Sequence, residues 1–297
     1  MTRRVELHGH RGARGLWAEN TLEGFRRAIA LGVDAIEMDV AVTADGVVVV
    51  SHDPALNPDL TREVSGTWLT DTGPLIRDLR AEELAAWDVG RLKPGTPYAA
   101  HYPAQAACDG ARIPTLAAVF ALDPGVIFNI ETKSFPDHPG WCVDGAAMGL
   151  AVVAAADAAG VTDRILVQSF DWRAMHAIRA ARPEIALSYL TSRNTVADAA
   201  LWWDAAGAVS FGGSVPRAIA AVGGKSWGPE YRDLSATLVA AAHALGLKVR
   251  PWTVNDPADM RRLLDWGVDG LITDRPDLAR VVMAETGFAV PSPHPPG

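Results

Sequence analysis

The chain has 297 residues, enough for one large domain or two small ones, and its 49% hydrophobic and 21% charged content is that of a globular protein with a full core. A formal net charge of −8 argues against nucleic acid as a partner, because polyanion binding asks for a basic surface. No run of about 18 apolar residues is present, so no stable membrane insertion is expected, and two cysteines, Cys108 and Cys142, make no disulfide framework and leave their pairing open.

The N-terminus "MTRRVELHGHRG" carries two arginines but no apolar run before its first strand, so it does not read as a signal peptide. The expected location is the cytoplasm, or the periplasm or exterior if a leader has been removed. From there strand-like and helix-like runs alternate. "VELHG" precedes the amphipathic "TLEGFRRAIALG"; "AIEMDVAVTADGVVVVSHD" reads as two arms about an Asp45-Gly46 turn, a hairpin signal. "VIFNI", "RILVQS", "IALSYL", "AVSFG", "KVRPWTV" and "GLITD" follow, with helical runs between them. That gives eight main strands in a parallel α/β arrangement, the number that closes a TIM-type (β/α)8 barrel of roughly 250 residues.

The whole chain, 1–297, therefore reads as a single barrel domain with two interruptions of the rhythm. Residues 54–113 are rich in Pro, Gly and charge, and read as an insertion after the second strand unit, on the side where loops reach the site. The Pro-rich tail at about 289–297 is expected to be disordered.

Strand alternation exposes polar residues that face the wrong way. In "AIEMDV", Ile36, Met38 and Val40 share one face while Glu37 and Asp39 share the other, the barrel interior. In "VIFNIETK", Asn129, Glu131 and Lys133 share the inward face. Three carboxylates stripped of hydration need partners. A hard divalent cation, Mg²⁺ or Ca²⁺, held by Glu37, Asp39 and Glu131 would supply one. A structural ion network with Lys133 and Arg11 would supply another, and the alternation alone leaves both open.

His8 and His10 share a face of the first strand. His10 stands at its end; His8, a layer deeper, reads as a satisfied interior histidine. His52 closes the hairpin's second arm, which returns toward Glu37 and Asp39. Two imidazoles beside three acids can serve one reaction as general acid and general base. Gln168 and Trp252 end later strands, should face the pocket rim and are candidate substrate-binding residues, Trp252 either as an apolar wall or as packing. Asp274, before Arg-Pro, reads as an organiser of the last turn. Trp202, Trp203 and Trp266 lie in helical runs and read as packing.

In this order, "HRGARGLWAENTLEGFRRAIALGVDAIEMDVAVTADGVVVVSHD", "IPTL", "NIETK", "VQSF", "PWTVN" and "WGVDGLITDRP" resemble the glycerophosphodiester phosphodiesterase family, from Leu7 to about Leu278. The resemblance implies a TIM-type barrel, one divalent cation and hydrolysis of a glycerophosphodiester to an alcohol and sn-glycerol 3-phosphate. It also implies that His10 and His52 are the catalytic pair, that Glu37, Asp39 and Glu131 bind the metal, and that Lys133 and Arg11 lie near the phosphate. Two departures stand out: Ala18 where the family often has proline, and His8 where it usually has an aliphatic residue. Two other readings compete. One is a lysophospholipase D or sphingomyelinase D-like phosphodiesterase; the other is a non-catalytic barrel that binds phosphorylated metabolites. The oligomeric state is not legible.

Overall fold

The computed structural model describes residues 3–122, 125–203 and 208–294. Its strands, in chain order, are β1 (Glu6–Gly9), β2 (Ala35–Val42), β3 (Val48–Val50), β4 (Arg62–Glu63), β5 (Trp87–Asp88), β6 (Ile127–Thr132), β7 (Ile165–Ser169), β8 (Ala186–Thr191), β9 (Ser226–Pro229), β10 (Lys248–Val249) and β11 (Gly270–Thr273). Eight of them run parallel in the order β10-β9-β8-β7-β6-β2-β1-β11. The ring closes between the ends of that list through Asp269 N to Val249 O (2.8 Å), Ile272 N to Pro251 O (3.1 Å) and Val254 N to Ile272 O (2.9 Å). Helices fill the connections and bury the outer face. Ile36, Met38, Val40, Phe128 and Ile130 are fully buried in one apolar cluster with them. This is the TIM-type barrel expected from the strand count.

One strand is elsewhere than expected. "AVSFG" does not join the sheet; Ala208–Phe211 is a 3-10 turn. The corresponding stave is β9, "SWGP", paired to β8 and β10. Its inward side carries only Ser226 and Gly228, and its last residue is proline. With so little apolar content it offers no alternation to read. Of "KVRPWTV", only Lys248–Val249 is regular strand, and the backbone continues to a bridge between Trp252 and Glu230.

The hairpin is present: β3 returns antiparallel along β2, with Val42 opposite Val48. Residues 54–113 fold beyond it. Leu56, Ile76 and Leu84 form a small separate core against Ala41 and Val49, and β4 pairs with β5. In the tail, residues 289–294 lie along the barrel's N-terminal end. Ala289 N donates to Arg3 O (2.8 Å) and His294 N to Ile29 O (3.3 Å), while 295–297 lie outside the described residues. Cys108 and Cys142 are both free thiols. Among the described residues no helix is long and apolar enough to cross a membrane.

Candidate active site

The first strand ends in a tight loop that two glycines make possible. A Cβ on Gly9 would stand 2.3 Å from Gly12 O, and Gly12 itself has φ +91°. Between them Arg11 is held at φ 51°, unusual for a residue with a side chain. That turn aims the Arg11 N–H at Glu37 Oε2 (2.9 Å). Its guanidinium reaches Glu19 Oε1 (2.7 Å) and stands 3.1 Å from Asp39 Oδ2, an ion pair without hydrogen-bond alignment.

The "ENT" triplet divides three tasks among neighbours. Glu19 clamps Arg11. Asn20, also at positive φ (54°), donates to Asp39 Oδ2 (3.1 Å). Thr21 caps the helix Leu22–Leu31, its hydroxyl accepting from Gly24 N (3.0 Å).

Sheet register then assembles the acids. Asp39 is opposite Glu131, and Glu131 is opposite Gln168. Ligand atoms of Glu37, Asp39 and Glu131 lie within 4.8 Å of one another, and all three residues are buried. Burial, then the charges of Asp39 and Glu131, push the Glu37 carboxyl well above its usual range. Burial raises Glu131 as well, against the pull of Lys133. Asp39 goes the other way: burial would raise it, but Arg11, His52 and Lys133 together hold it well below the usual carboxylate range.

A cation fits this cluster on an observation of the site itself. Asp39 Oδ1 is buried without a hydrogen-bond partner, with Lys133 Nζ no nearer than 3.8 Å. Buried polar atoms are nearly always partnered. Lys133 instead donates to Glu131 Oε1 (2.7 Å). The three carboxylates form an all-oxygen set of the kind hard divalent ions take.

Both histidines that sequence singled out face the same cavity of about 290 Å³, with Glu37, Glu131, Lys133 and Trp252. Each presents Nδ1 to an aspartate: His10 to Asp274 Oδ1 (2.6 Å), His52 to Asp53 Oδ1 (2.8 Å). In each pair the Nδ1–H donates, which leaves Nε2 as the free ring atom; that of His10 is 3.8 Å from Glu37 Oε2. Burial lowers His10 despite Asp274. Burial, then Lys133 and Arg11, lower His52. Gln168 also lines the cavity, but its amide donates to Glu37 Oε1 (3.0 Å). Trp252 gives its ring N–H to Gly228 O (2.9 Å) and packs edge-on against Phe170, so its apolar surface meets the cavity.

Sequence reasoning missed three contributors. Asp274 is buried and partnered by His10, Arg14 (3.0 and 3.2 Å) and Asn255 (2.7 Å), rather than acting only as a turn former. The signal was available, since Ile272 and Asp274 share the inward face of the last stave. Arg14 and Tyr98 left none. Tyr98, from the helix Pro97–His101 of the insertion, donates to Glu19 and accepts from Arg14 Nη1 (3.1 Å).

An acid cluster that could hold a metal, flanked by two aspartate-braced histidines, thus stands at the C-terminal mouth of a TIM barrel, the end where barrel enzymes carry their active sites. Residues 10–278 match the model of the glycerophosphoryl diester phosphodiesterase family. A glycerophosphodiester phosphodiesterase of Caldanaerobacter subterraneus subsp. tengcongensis is 30% identical over 90% of this chain and 93% of its own. A Silicibacter pomeroyi crystal structure under the same family name aligns with a TM-score of 0.87 at 37% identity, covering 97% of this chain and 96% of that one. An Oleispira antarctica phosphodiesterase, solved in complex with the product sn-glycerol-3-phosphate, shares the fold with a TM-score of 0.70 at 23% identity, over 94% and 96% of the two chains. The chain belongs to the glycerophosphoryl diester phosphodiesterase family, and it is a hydrolase of phosphoric diesters.

Proposed function

We propose that the chain hydrolyses a small glycerophosphodiester to an alcohol and sn-glycerol 3-phosphate, using one divalent cation, Mg²⁺ or Ca²⁺. Glu37, Asp39 and Glu131 would hold the ion; His10 and His52 would be the general acid and base. The observation that carries this reading is a single cavity lined by both imidazoles and by two of the three clustered acids.

A phosphodiester resists attack because it is anionic and its alkoxide leaves poorly. A bound divalent cation supplies charge neutralisation and fixes the phosphate. Lys133 and Arg11 also line the cavity and add positive charge, which favours an anionic ligand. The aspartates at Nδ1 keep each ring in one tautomer, with Nε2 toward the cavity. One Nε2 then takes the proton of the attacking hydroxyl as its oxygen bonds to phosphorus; attack by water gives sn-glycerol 3-phosphate directly, whereas attack by the glycerol 2-OH gives a cyclic phosphate that water opens to the same product in a second acid–base step. As the P–O bond to the leaving alcohol breaks, the other imidazole delivers a proton to that oxygen. Trp252 and Phe170 offer an apolar wall to the carbon skeleton.

The test is release of sn-glycerol 3-phosphate from glycerophosphocholine by the wild type and by His10→Ala and His52→Ala. Each variant should fall by at least about 10²-fold while folding normally. Near-normal turnover in either removes that histidine from the mechanism. Faster cleavage of lysophosphatidylcholine than of glycerophosphocholine would move the substrate to the lysophospholipids.

A further inference from the structure

TIM-barrel interiors are ordinarily filled by layers of bulky branched side chains. This one carries a hydrogen-bonded polar column from the bottom mouth to the acid cluster. At the bottom, Arg250 grips Glu6 with Nε to Oε2 (2.6 Å) and Nη2 to Oε1 (3.0 Å). His8 Nε2 lies 3.2 Å from Glu6 Oε2. His8 Nδ1 lies 3.1 Å from Asn129 Nδ2. Asn129 Nδ2 is also 3.3 Å from Gln168 Oε1, and Gln168 Nε2 reaches Glu37 Oε1 at 3.0 Å. His8, Asn129 and Glu37 are wholly buried, and Gln168 nearly so.

With Glu37 ionised, as a cation would hold it, the donors and acceptors of this column have one arrangement in which no like atoms face each other, with Asn129 Oδ1 left without a partner. Glu37 needs a donor at Oε1, so Gln168 must point its NH₂ there and its carbonyl at Asn129. Asn129 must then present its own NH₂, whose second hydrogen requires an acceptor. His8 Nδ1 is that acceptor, which puts the ring proton on Nε2, facing the Glu6 carboxylate. Turning either amide would set oxygen against oxygen or N–H against N–H in a dry interior.

We propose that His8 is a positioning residue for Glu37, acting through Asn129 and Gln168 to fix the carboxylate that the acid cluster offers to a cation. This explains why a polar ring occupies a stave position where an aliphatic side chain would pack without a partner. With Gln168 on Oε1 and the Arg11 N–H on Oε2 (2.9 Å), each oxygen of Glu37 is held by one donor and keeps a lone pair for the ion. The proposal rests on the metal-site part of the functional reading but not on the substrate.

The test titrates Ca²⁺ alone into the whole, substrate-free chain by calorimetry. His8→Leu should weaken Ca²⁺ binding about tenfold, the scale of loss when a ligand's outer hydrogen-bond partner is removed. His8→Asn, whose Oδ1 sits near the place of Nδ1 and can accept from Asn129, should stay within about threefold of wild type by the same reasoning. Gln168→Met, similar in length but without the donor, should match or exceed the His8→Leu loss. In the Gln168→Met background His8→Leu should have no further effect, because the path is already cut. An unchanged affinity in His8→Leu, or additive losses in the double variant, would overturn the proposal. If His8→Leu does not fold, equal affinity of Gln168→Met and wild type overturns it alone. Shifted affinities in a chain that cleaves no glycerophosphodiester would keep the column and discard the substrate; full hydrolysis with unshifted affinities would do the reverse.

Discussion

His10 Nδ1 lies 2.6 Å from Asp274 Oδ1, joining residues 264 positions apart at the seam where the first and last staves of the barrel meet. The contact sets which nitrogen of His10 is free to work. Asp274 is itself tied to Arg14 and Asn255, so the carboxylate that holds the ring is held in its turn.

Asp274→Asn should therefore cost activity more than it costs fold. The amide can present N–H to Nδ1, which would shift the ring proton to Nε2 and block that atom as a base. A loss of about 10²–10⁴-fold in kcat is expected, with KM little changed. Steady-state kinetics with a circular-dichroism melt check it; kcat within threefold of wild type would show that Asp274 does not set the tautomer.

Asp53→Asn should be milder. His52 and Asp53 are both about one-third exposed, so water can replace part of what the carboxylate does. A fall of about tenfold is expected, smaller than that of Asp274→Asn. The ratio of the two variants' kcat values is the readout, and a reversed order contradicts the burial argument.

Stability should fall on acidification. Burial raises the carboxyls of Glu6 and Asp274, but His8 and Arg250 in the first case, and His10 and Arg14 in the second, hold both below their ordinary values. A carboxylate whose folded pKa is depressed adds stability above its unfolded pKa, near 4, and that stability is lost as pH drops through the folded value. Thermal melts should show Tm decreasing as pH drops below about 4.5, the range these two carboxylates govern, whereas the raised carboxyls of Glu37 and Glu131 act in the opposite sense above it. Glu6→Gln should be less stable at pH 7, by about 1–3 kcal/mol, and should show a shallower decline. An equal slope in wild type and Glu6→Gln would contradict the assignment.

The insertion takes part in the site through Tyr98. Tyr98→Phe removes the hydroxyl that joins Glu19 to Arg14, leaving a buried carboxylate oxygen short of a donor. A drop of about tenfold in kcat/KM is expected, equivalent to about 1.4 kcal/mol. Unaltered kcat/KM would restrict the helix Pro97–His101 to a packing role.

Much of this was legible because parallel staves expose their chemistry through a period of two. The inward set Glu37, Asp39, Asn129 and Glu131 stands out of apolar strands, and His8 reads as an interior residue two places below His10. The "SWGP" stave did not stand out, since a glycine and a proline in four residues erase the apolar rhythm. Nor did the supports of the histidines. Asp53 adjoins His52 in sequence, and the inward place of Asp274 follows from alternation, but its pairing with His10 and Arg14, and that of Tyr98 with Glu19, form only after barrel closure and the packing of the insertion. Contacts at such separations leave no local pattern. Gln168 was legible by position, but its hydrogen bond to Glu37 was not, because that contact crosses from β7 to β2.

The most direct measurement of the central claim is sn-glycerol 3-phosphate release by chain stripped with EDTA and then given Mg²⁺ or Ca²⁺, in wild type and in Asp39→Asn. Wild type should lose its activity on stripping and regain it with either or both ions, whereas Asp39→Asn should stay at least about 10²-fold below it at any ion concentration. Full activity in the stripped wild type, or wild-type recovery in Asp39→Asn, would contradict a reaction built on a cation at Glu37, Asp39 and Glu131.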